Sequence, residues 1–198
     1  MISHDAPQGT PEWMAARCGI PSASRFDMIV TTKGEPSKQA QKYLYQLAGE
    51  RVSGKTEETY QNAAMQRGIE MEAEAVALYE MLRFKTTEVG VCYPDEKKLV
   101  AASPDRLVGN DGLLEVKNPL IYTHVGYLLE GTLPMDYFQQ VQGQLYVTGR
   151  KWCDFMSNYG GLPPLIIRVE RDEKFITALD SELKKFCAEL AIVTEKIR

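Results

Sequence analysis

Asp105, Glu115 and Lys117 are the residues whose types and spacing could do chemistry. Glu115 and Lys117 lie two apart, so on a β-strand their side chains share one face while Val116 points to the other. The run Gly109-Asn110-Asp111-Gly112 is made of turn formers, and a turn centred near Asn110 brings Asp105 across from Glu115. Two carboxylates about 5 Å apart repel by about 3 kcal/mol at an effective dielectric of about 20, so a cation belongs between them. Lys117 can be that cation, in a cross-strand salt-bridge cluster. Alternatively a hard divalent metal takes oxygen ligands from Asp105, Glu115 and the Val116 carbonyl, while Lys117 orients or deprotonates an attacking water. The spacing leaves both readings open.

Two further motifs bear on chemistry. Residues 61–83 have helical period, and Met65, Gly68, Ile69, Val76 and Tyr79 fall within about 60° of Glu72. Glu70 and Glu74 fall on the opposite side as solvent charges. A carboxylate in the apolar stripe must protonate, pair or bind a metal, and a structural salt bridge satisfies Glu72 as well as a metal does. The second motif, Gly49-Glu50-Arg51-Val52-Ser53-Gly54-Lys55-Thr56, fits the phosphate-cradling pattern of nucleotide-binding loops letter for letter. Such a loop leaves a buried strand and opens a helix. Here residues 40–48 are helical in period, and Glu50 would sit in a loop meant for an anion. A P-loop nucleotide-binding protein is therefore the alternative function rather than the leading one.

The elements that must position these residues follow from period and punctuation. A helix begins after Ser37, its N-cap, with Ala40, Tyr43, Leu44 and Leu47 on one face. Strands are expected at 89–93, 99–103 and 113–117, with 99–117 a β-hairpin. Pro134 opens a helix to about Val147, strands follow at 152–158 and 165–170, and a last helix carries Phe175, Leu179, Leu183, Phe186, Leu190, Val193 and Ile197 along one face. That order predicts an α/β fold, a central mixed β-sheet flanked by helices, in a single domain over residues 1–198. The chain carries 27 acidic against 23 basic residues, a net of −4, so a whole-surface basic nucleic-acid binder is excluded but a local basic groove is not. No secretory signal opens the chain and no stretch reaches the length of a membrane span. Cys18, Cys92, Cys153 and Cys187 stand far apart and read as free thiols of a reducing compartment. With His4 and His124 alone, a His-paired metal site or a serine triad lacks its parts.

The run Ser103-Pro104-Asp105…Glu115-Val116-Lys117 resembles the PD-(D/E)XK nuclease motif, and the likeness extends along most of the chain. Trp13-x3-Arg17-x-Gly19-Ile20-x2-Ala23-Ser24 resembles the phosphate-binding segment of the lambda-exonuclease-like, YqaJ-type viral recombination nucleases. Gly68-x3-Glu72 is similar to their helix glutamate, Gln140-x-Gln142 to their glutamine pair, and the run from Val169 to Lys174 to their closing strand and helix start. The resemblance implies a restriction-endonuclease-like core and a Mg²⁺ (or Mn²⁺) site formed by Asp105, Glu115, the Val116 carbonyl and Glu72. It further implies that Lys117 activates the water, that Gln140 helps to position it, and that Arg17 and Ser24 hold a 5′-terminal phosphate. The activity implied is 5′-to-3′ exonucleolytic removal of one strand of linear double-stranded DNA, leaving 3′ overhangs for recombination. The family's homotrimeric ring, a single-strand-annealing recombinase as partner, and a phage or prophage protein in the bacterial cytoplasm are implied in the same way. Lys33, Lys38 and Lys42 are candidate contacts to DNA in the channel of such a ring. Three carboxylates and one ammonium sum to −2, a charge that one Mg²⁺ cancels and a second overbalances for a polyanion. The rival within this fold is a catalytically inert binding domain, which predicts DNA or protein binding without product.

Overall fold

Strand β5, Gly112–Lys117, is buried on both faces, as the centre of a covered sheet requires. The computed structural model that shows it describes residues 1–56 and 71–198. The segment before β5 is β4, Arg106–Val108, and the two pair antiparallel with Arg106 opposite Leu114 and Val108 opposite Gly112. On its other side β5 runs parallel to β6, Trp152–Ser157, which pairs antiparallel with β7, Leu165–Glu170. The short β2, Thr86–Thr87, closes the far edge against β4, so the described sheet has the order β2-β4-β5-β6-β7. The mixed sheet and its flanking helices are those the sequence predicts.

A parallel pair needs a long crossover. It consists of α4, Ile121–Glu130, and α5, Phe138–Thr148, the latter entered through a 3-10 turn at Met135–Tyr137 behind Pro134. Alternation along β5 sends Leu113, Glu115 and Lys117 one way and Leu114 and Val116 the other. Leu113 packs with Val141 and Leu145 of α5. Leu114 and Val116 pack with Ala75, Val76 and Tyr79 of α3, Glu72–Leu82. The sheet is thus a wall between the helix bearing the glutamines and the helix that begins at Glu72. The 61–70 part of the helix expected there lies outside the described residues.

The N-terminal third builds a second layer. α1, Pro11–Arg17, is capped by the Thr10 hydroxyl and followed by a 3-10 helix at Ala23–Met28, which leads to α2, Ala40–Ser53. Leu179, Leu183, Phe186 and Leu190 of α6, Glu173–Lys196, bury against Tyr43, Leu44 and Leu47 of α2. Each such side chain contributes about 1.5–3 kcal/mol of burial. The long apolar stripe stops short of its expected end: Ile197 lies beyond the helix, 51% exposed.

Several boundaries differ from the sequence expectation. Residues 99–103 are not the first hairpin strand; Ala101 and Ala102 bridge singly to Ser22 and Cys92, tying the N-terminal layer to β3, Val91–Tyr93. β3 pairs instead with β1, Ile2–His4. The N-cap of α2 is Gln39, whose N–H donates to the Ser37 hydroxyl, so Ser37 sits two residues early. α4 was not anticipated from the sequence, and its Ile121, Tyr122, Val125 and Leu129 are exposed. No helix among the described residues is long and apolar enough to cross a membrane.

Candidate active site

The site grows from the end of the β4–β5 hairpin. The register that opposes Arg106 to Leu114 would, one step on, oppose Asp105 to Glu115, as turn arithmetic predicts. The chain leaves the ladder there: Asp105 Oδ2 accepts the Val116 N–H at 2.6 Å, in place of a strand carbonyl. One further step would set Pro104 opposite Val116. Lys117 gives its carbonyl to Asn158 N–H on the β6 side, so by alternation Val116 turns both its main-chain groups toward the β4 edge. Proline has no N–H to offer its carbonyl. Burial, and then the neighbouring charge of Glu115, hold the Asp105 carboxyl well above its usual range, with Lys117 opposing.

Glu115 is 1% exposed and held by three donors. Lys117 Nζ lies 2.6 Å and Gln140 Nε2 2.5 Å from its Oε1, and Gln144 Nε2 lies 2.6 Å from its Oε2. Burial works against the Lys117 ammonium, but Glu115 and Asp105 outweigh it and raise its pKa. Gln140 and Gln144 are one helical turn apart and share the face of α5 that meets β5. Gln142, on the other side, donates to the Glu170 carbonyl and accepts the Asp172 N–H, tying β7 to the start of α6. The glutamine pair at the site is therefore 140 and 144, not 140 and 142.

Glu72 arrives from the other side of the sheet, at the start of α3. It is less buried than the helical wheel suggests, with its side chain 31% exposed, and of the alternatives left open it takes the salt bridge, with Arg106 Nη1 3.2 Å away. Its charge still reaches Asp105 and adds to the field that raises that carboxyl. Arg106, which sequence reasoning missed, also donates to the Asp105 carbonyl at 2.6 Å. Arg106 also pairs with Glu88 at 3.5 Å, so four carboxylates face two cations and the net of −2 stands.

Trp13 and Arg17 are one turn apart on α1, which stacks the guanidinium 4.1 Å from the indole centroid. Arg17 Nη2 donates to Ser22 Oγ at 2.9 Å and lies 3.5 Å from Ser24 Oγ. A cleft of about 1400 Å³ is lined by Arg17, Ser22 and Ser24 at one end and by Glu72, Glu88 and Arg106 at the other, while Asp105, Glu115 and Lys117 are not among its lining residues. At Gly143 a Cβ would stand 2.5 Å from Phe26 Cδ2, so the 3-10 helix bearing Ser24 lies directly on α5. Lys33, Lys38 and Lys42 are exposed and line none of this cleft.

The remaining candidates resolve against catalysis. Residues 49–53 end α2 and Gly54 caps it at φ +68°, so the phosphate-loop pattern lies at a helix C-terminus, whose carbonyls repel anions. His124 is fully buried between Ser157 Oγ at 2.8 Å and the Pro163 carbonyl at 3.0 Å, far from the solvent a triad needs. The four cysteines are free thiols, three of them buried.

Among the described residues no group of three or more His, Cys, Asp or Glu side chains is arranged to hold a metal ion. The donor set that fits one is mixed: two carboxylates, Asp105 and Glu115, and the Val116 carbonyl on the strand edge that Pro104 cannot pair. All are hard oxygen donors suited to Mg²⁺. The Lys117 ammonium on Glu115 shows that this end of the strand accommodates a cation.

Comparison with known proteins gives a consistent family and fold. The model of the YqaJ-like viral recombinase domain matches residues 12–151. The alkaline exonuclease LHK-Exo from Laribacter hongkongensis superposes with a TM-score of 0.86 at 38% identity, covering 95% of this chain and 96% of that one. Its complex with dAMP gives the same figures. A phage related exonuclease from Haemophilus somnus 129PT, 15% identical, shares the fold with a TM-score of 0.69 over 90% of this chain and 96% of its own. No curated protein matches.

Proposed function

Because the chain belongs to the YqaJ-like viral recombinase domain family and is an exonuclease, we propose that it is a Mg²⁺-dependent 5′-to-3′ exodeoxyribonuclease acting on linear duplex ends. The observation that carries this reading is the convergence of Asp105, Glu115 and Lys117 at one strand end, where Lys117 Nζ stands 2.6 Å from the buried Glu115. Asp105, Glu115 and the Val116 carbonyl would hold Mg²⁺, or Mn²⁺ in its place, with Glu72 completing the acidic set. A bound divalent ion supplies Lewis acidity to the phosphate and lowers the pKa of a coordinated water.

The chain's own groups do the rest. Lys117 Nζ is the proton-handling atom beside the reacting phosphate. The carboxylates that keep it charged are those whose charge a cation would offset, so its proton becomes easier to release when the site is filled. Gln140 shares Glu115 Oε1 with Lys117 and is placed to orient the water. Arg17, Ser22 and Ser24 present one cation and two hydroxyls to the 5′-terminal phosphate. Removal of the 5′-ended strand would leave a 3′ overhang for a single-strand-annealing recombinase. An acidic chain with net charge −4 holds DNA best by enclosure, so a homotrimeric ring in the bacterial cytoplasm completes the reading; a monomer in sedimentation would overturn that part.

Nucleotide release from linear 5′-phosphorylated duplex, with and without Mg²⁺ and against a closed circle, tests the reading. Release from the linear form alone, in Mg²⁺, is the expected result, and Lys117→Ala should lower the rate by at least about a hundredfold while DNA-end binding survives. Cutting of the circle would make the protein an endonuclease. No release from either would favour the inert binding domain.

A further inference from the structure

Three side chains of α2 grip the backbone of the segment that carries Arg17, Ser22 and Ser24. Tyr43 Oη accepts the Ser22 N–H at 3.4 Å, Glu50 Oε2 accepts the Gly19 N–H at 3.0 Å, and Arg51 Nε donates to the Gly19 carbonyl at 2.8 Å. Gly19 is thus held from both sides of its peptide by two adjacent residues. It lies at φ +68°, and a Cβ on it would stand 2.4 Å from Arg51 Cγ, so the approach is close enough to need glycine. Tyr43 and Glu50 are two helical turns apart and face the same way. The second oxygen of Glu50 takes Gln46 Nε2 at 3.0 Å, which leaves this carboxylate, 8% exposed, committed to positioning. Glu50 and Arg51 belong to the run that imitates a phosphate loop. They handle no phosphate themselves; they hold the turn from which Arg17 and Ser24 would reach one.

We propose that Tyr43, Glu50 and Arg51 are positioning residues that set the 5′-phosphate preference of the enzyme by fixing the Gly19–Ser22 backbone. The proposal rests on the phosphate role of Arg17 and Ser24 given above. A guanidinium and a hydroxyl must meet one phosphate together, and a turn free to shift by a fraction of an ångström loses one contact when it makes the other. Arg17 comes from α1 and Ser24 from the 3-10 helix, and the chain between them is the part that α2 clamps.

The test compares rates on the same linear duplex bearing a 5′-phosphate or a 5′-hydroxyl, with thermal midpoints measured in parallel. Arg17→Ala should abolish the preference for phosphate. Arg51→Ala and Tyr43→Phe should each lower the phosphate-to-hydroxyl ratio about three- to tenfold, as expected for one lost hydrogen bond, and Arg51→Lys should recover part of it. Tyr43→Phe keeps the ring that stacks on Phe186 at 5.8 Å, so it carries the test should Arg51→Ala fail to fold. An unchanged ratio in Arg51→Ala and Tyr43→Phe, with Arg17→Ala losing it, would overturn the positioning role and leave the phosphate pocket standing. An unchanged ratio in Arg17→Ala would overturn the phosphate reading itself.

Discussion

Glu115 does not share its two oxygens evenly, and the division says which residue to change. Lys117 and Gln140 meet at Oε1, whereas Gln144 is the side chain among the described residues that holds Oε2 and fixes the carboxylate plane. Gln144 is 1% exposed, and its own amide oxygen is the buried side-chain acceptor that finds no partner among the described residues. Gln144→Leu should leave Glu115 Oε2 buried without a donor, at a cost of about 1–3 kcal/mol, and calorimetric titration should show Mg²⁺ affinity falling about tenfold. Unchanged affinity would reduce Gln144 to a packing residue. At this scale the sequence was readable where partners lie close along the chain: turn arithmetic alone set Asp105 against Glu115. Gln144 was within reach of the same logic, because it stands one helical turn after Gln140, but its packing among Val141, Leu145 and Val147 reads as core. Arg106 could not be read, since its pairing with Glu72 depends on which sheet edge α3 crosses.

The element that matters most is one that stops. β4 begins at Arg106, so the Val116 carbonyl faces an edge with no strand opposite, and Pro104 denies it the N–H that one more rung would supply. Pro104→Ala restores that donor and lets the hairpin extend, which sets a hydrogen bond worth about 0.5–1.5 kcal/mol in competition with a metal. The expected outcome is a thermal midpoint that is unchanged or raised, together with metal affinity and turnover lowered about three- to tenfold. A variant with full activity would show that the carbonyl is not a ligand. The hairpin turn and β5 were legible as elements, but the first strand was placed too early, because the apolar run at 99–103 serves an isolated bridge to Ser22 instead. The parallel pairing of β5 with β6 was not legible, since neither strand differs in composition from an antiparallel neighbour and only the crossover through α4 and α5 requires it.

At the scale of the whole molecule, the acidic site is a liability to stability that a cation should relieve. The folded chain raises the Asp105 carboxyl above its unfolded value, so it binds that proton more tightly than the unfolded chain does. The associated stability is full below the ordinary carboxylate range and is lost as pH climbs through the raised value. The metal-free protein should therefore melt at progressively lower temperature as pH rises above about 4. Mg²⁺ at a hundred times its Kd adds about 2.7 kcal/mol, or about 5–10 °C for a chain this long, and adds more at pH 8 than at pH 5. Asp105→Asn should flatten the metal-free pH dependence and remove the Mg²⁺ gain; an Mg²⁺ shift retained by that variant would place the ion elsewhere. Fold class was legible from the alternation of elements, whereas the cleft was not, because it forms between the N-terminal layer and the sheet edge from residues as distant as Arg17 and Arg106. The crossover has one more consequence. A ribosome delivers Asp105, Glu115 and Lys117 together in a local hairpin, but Gln140, Gln144 and the flanking strand β6 follow only after α4, and parallel pairing waits for all of them. An emerging chain thus carries its acids before it owns the scaffold that aims them, so the order of synthesis leaves the site unassembled until the crossover and β6 have folded.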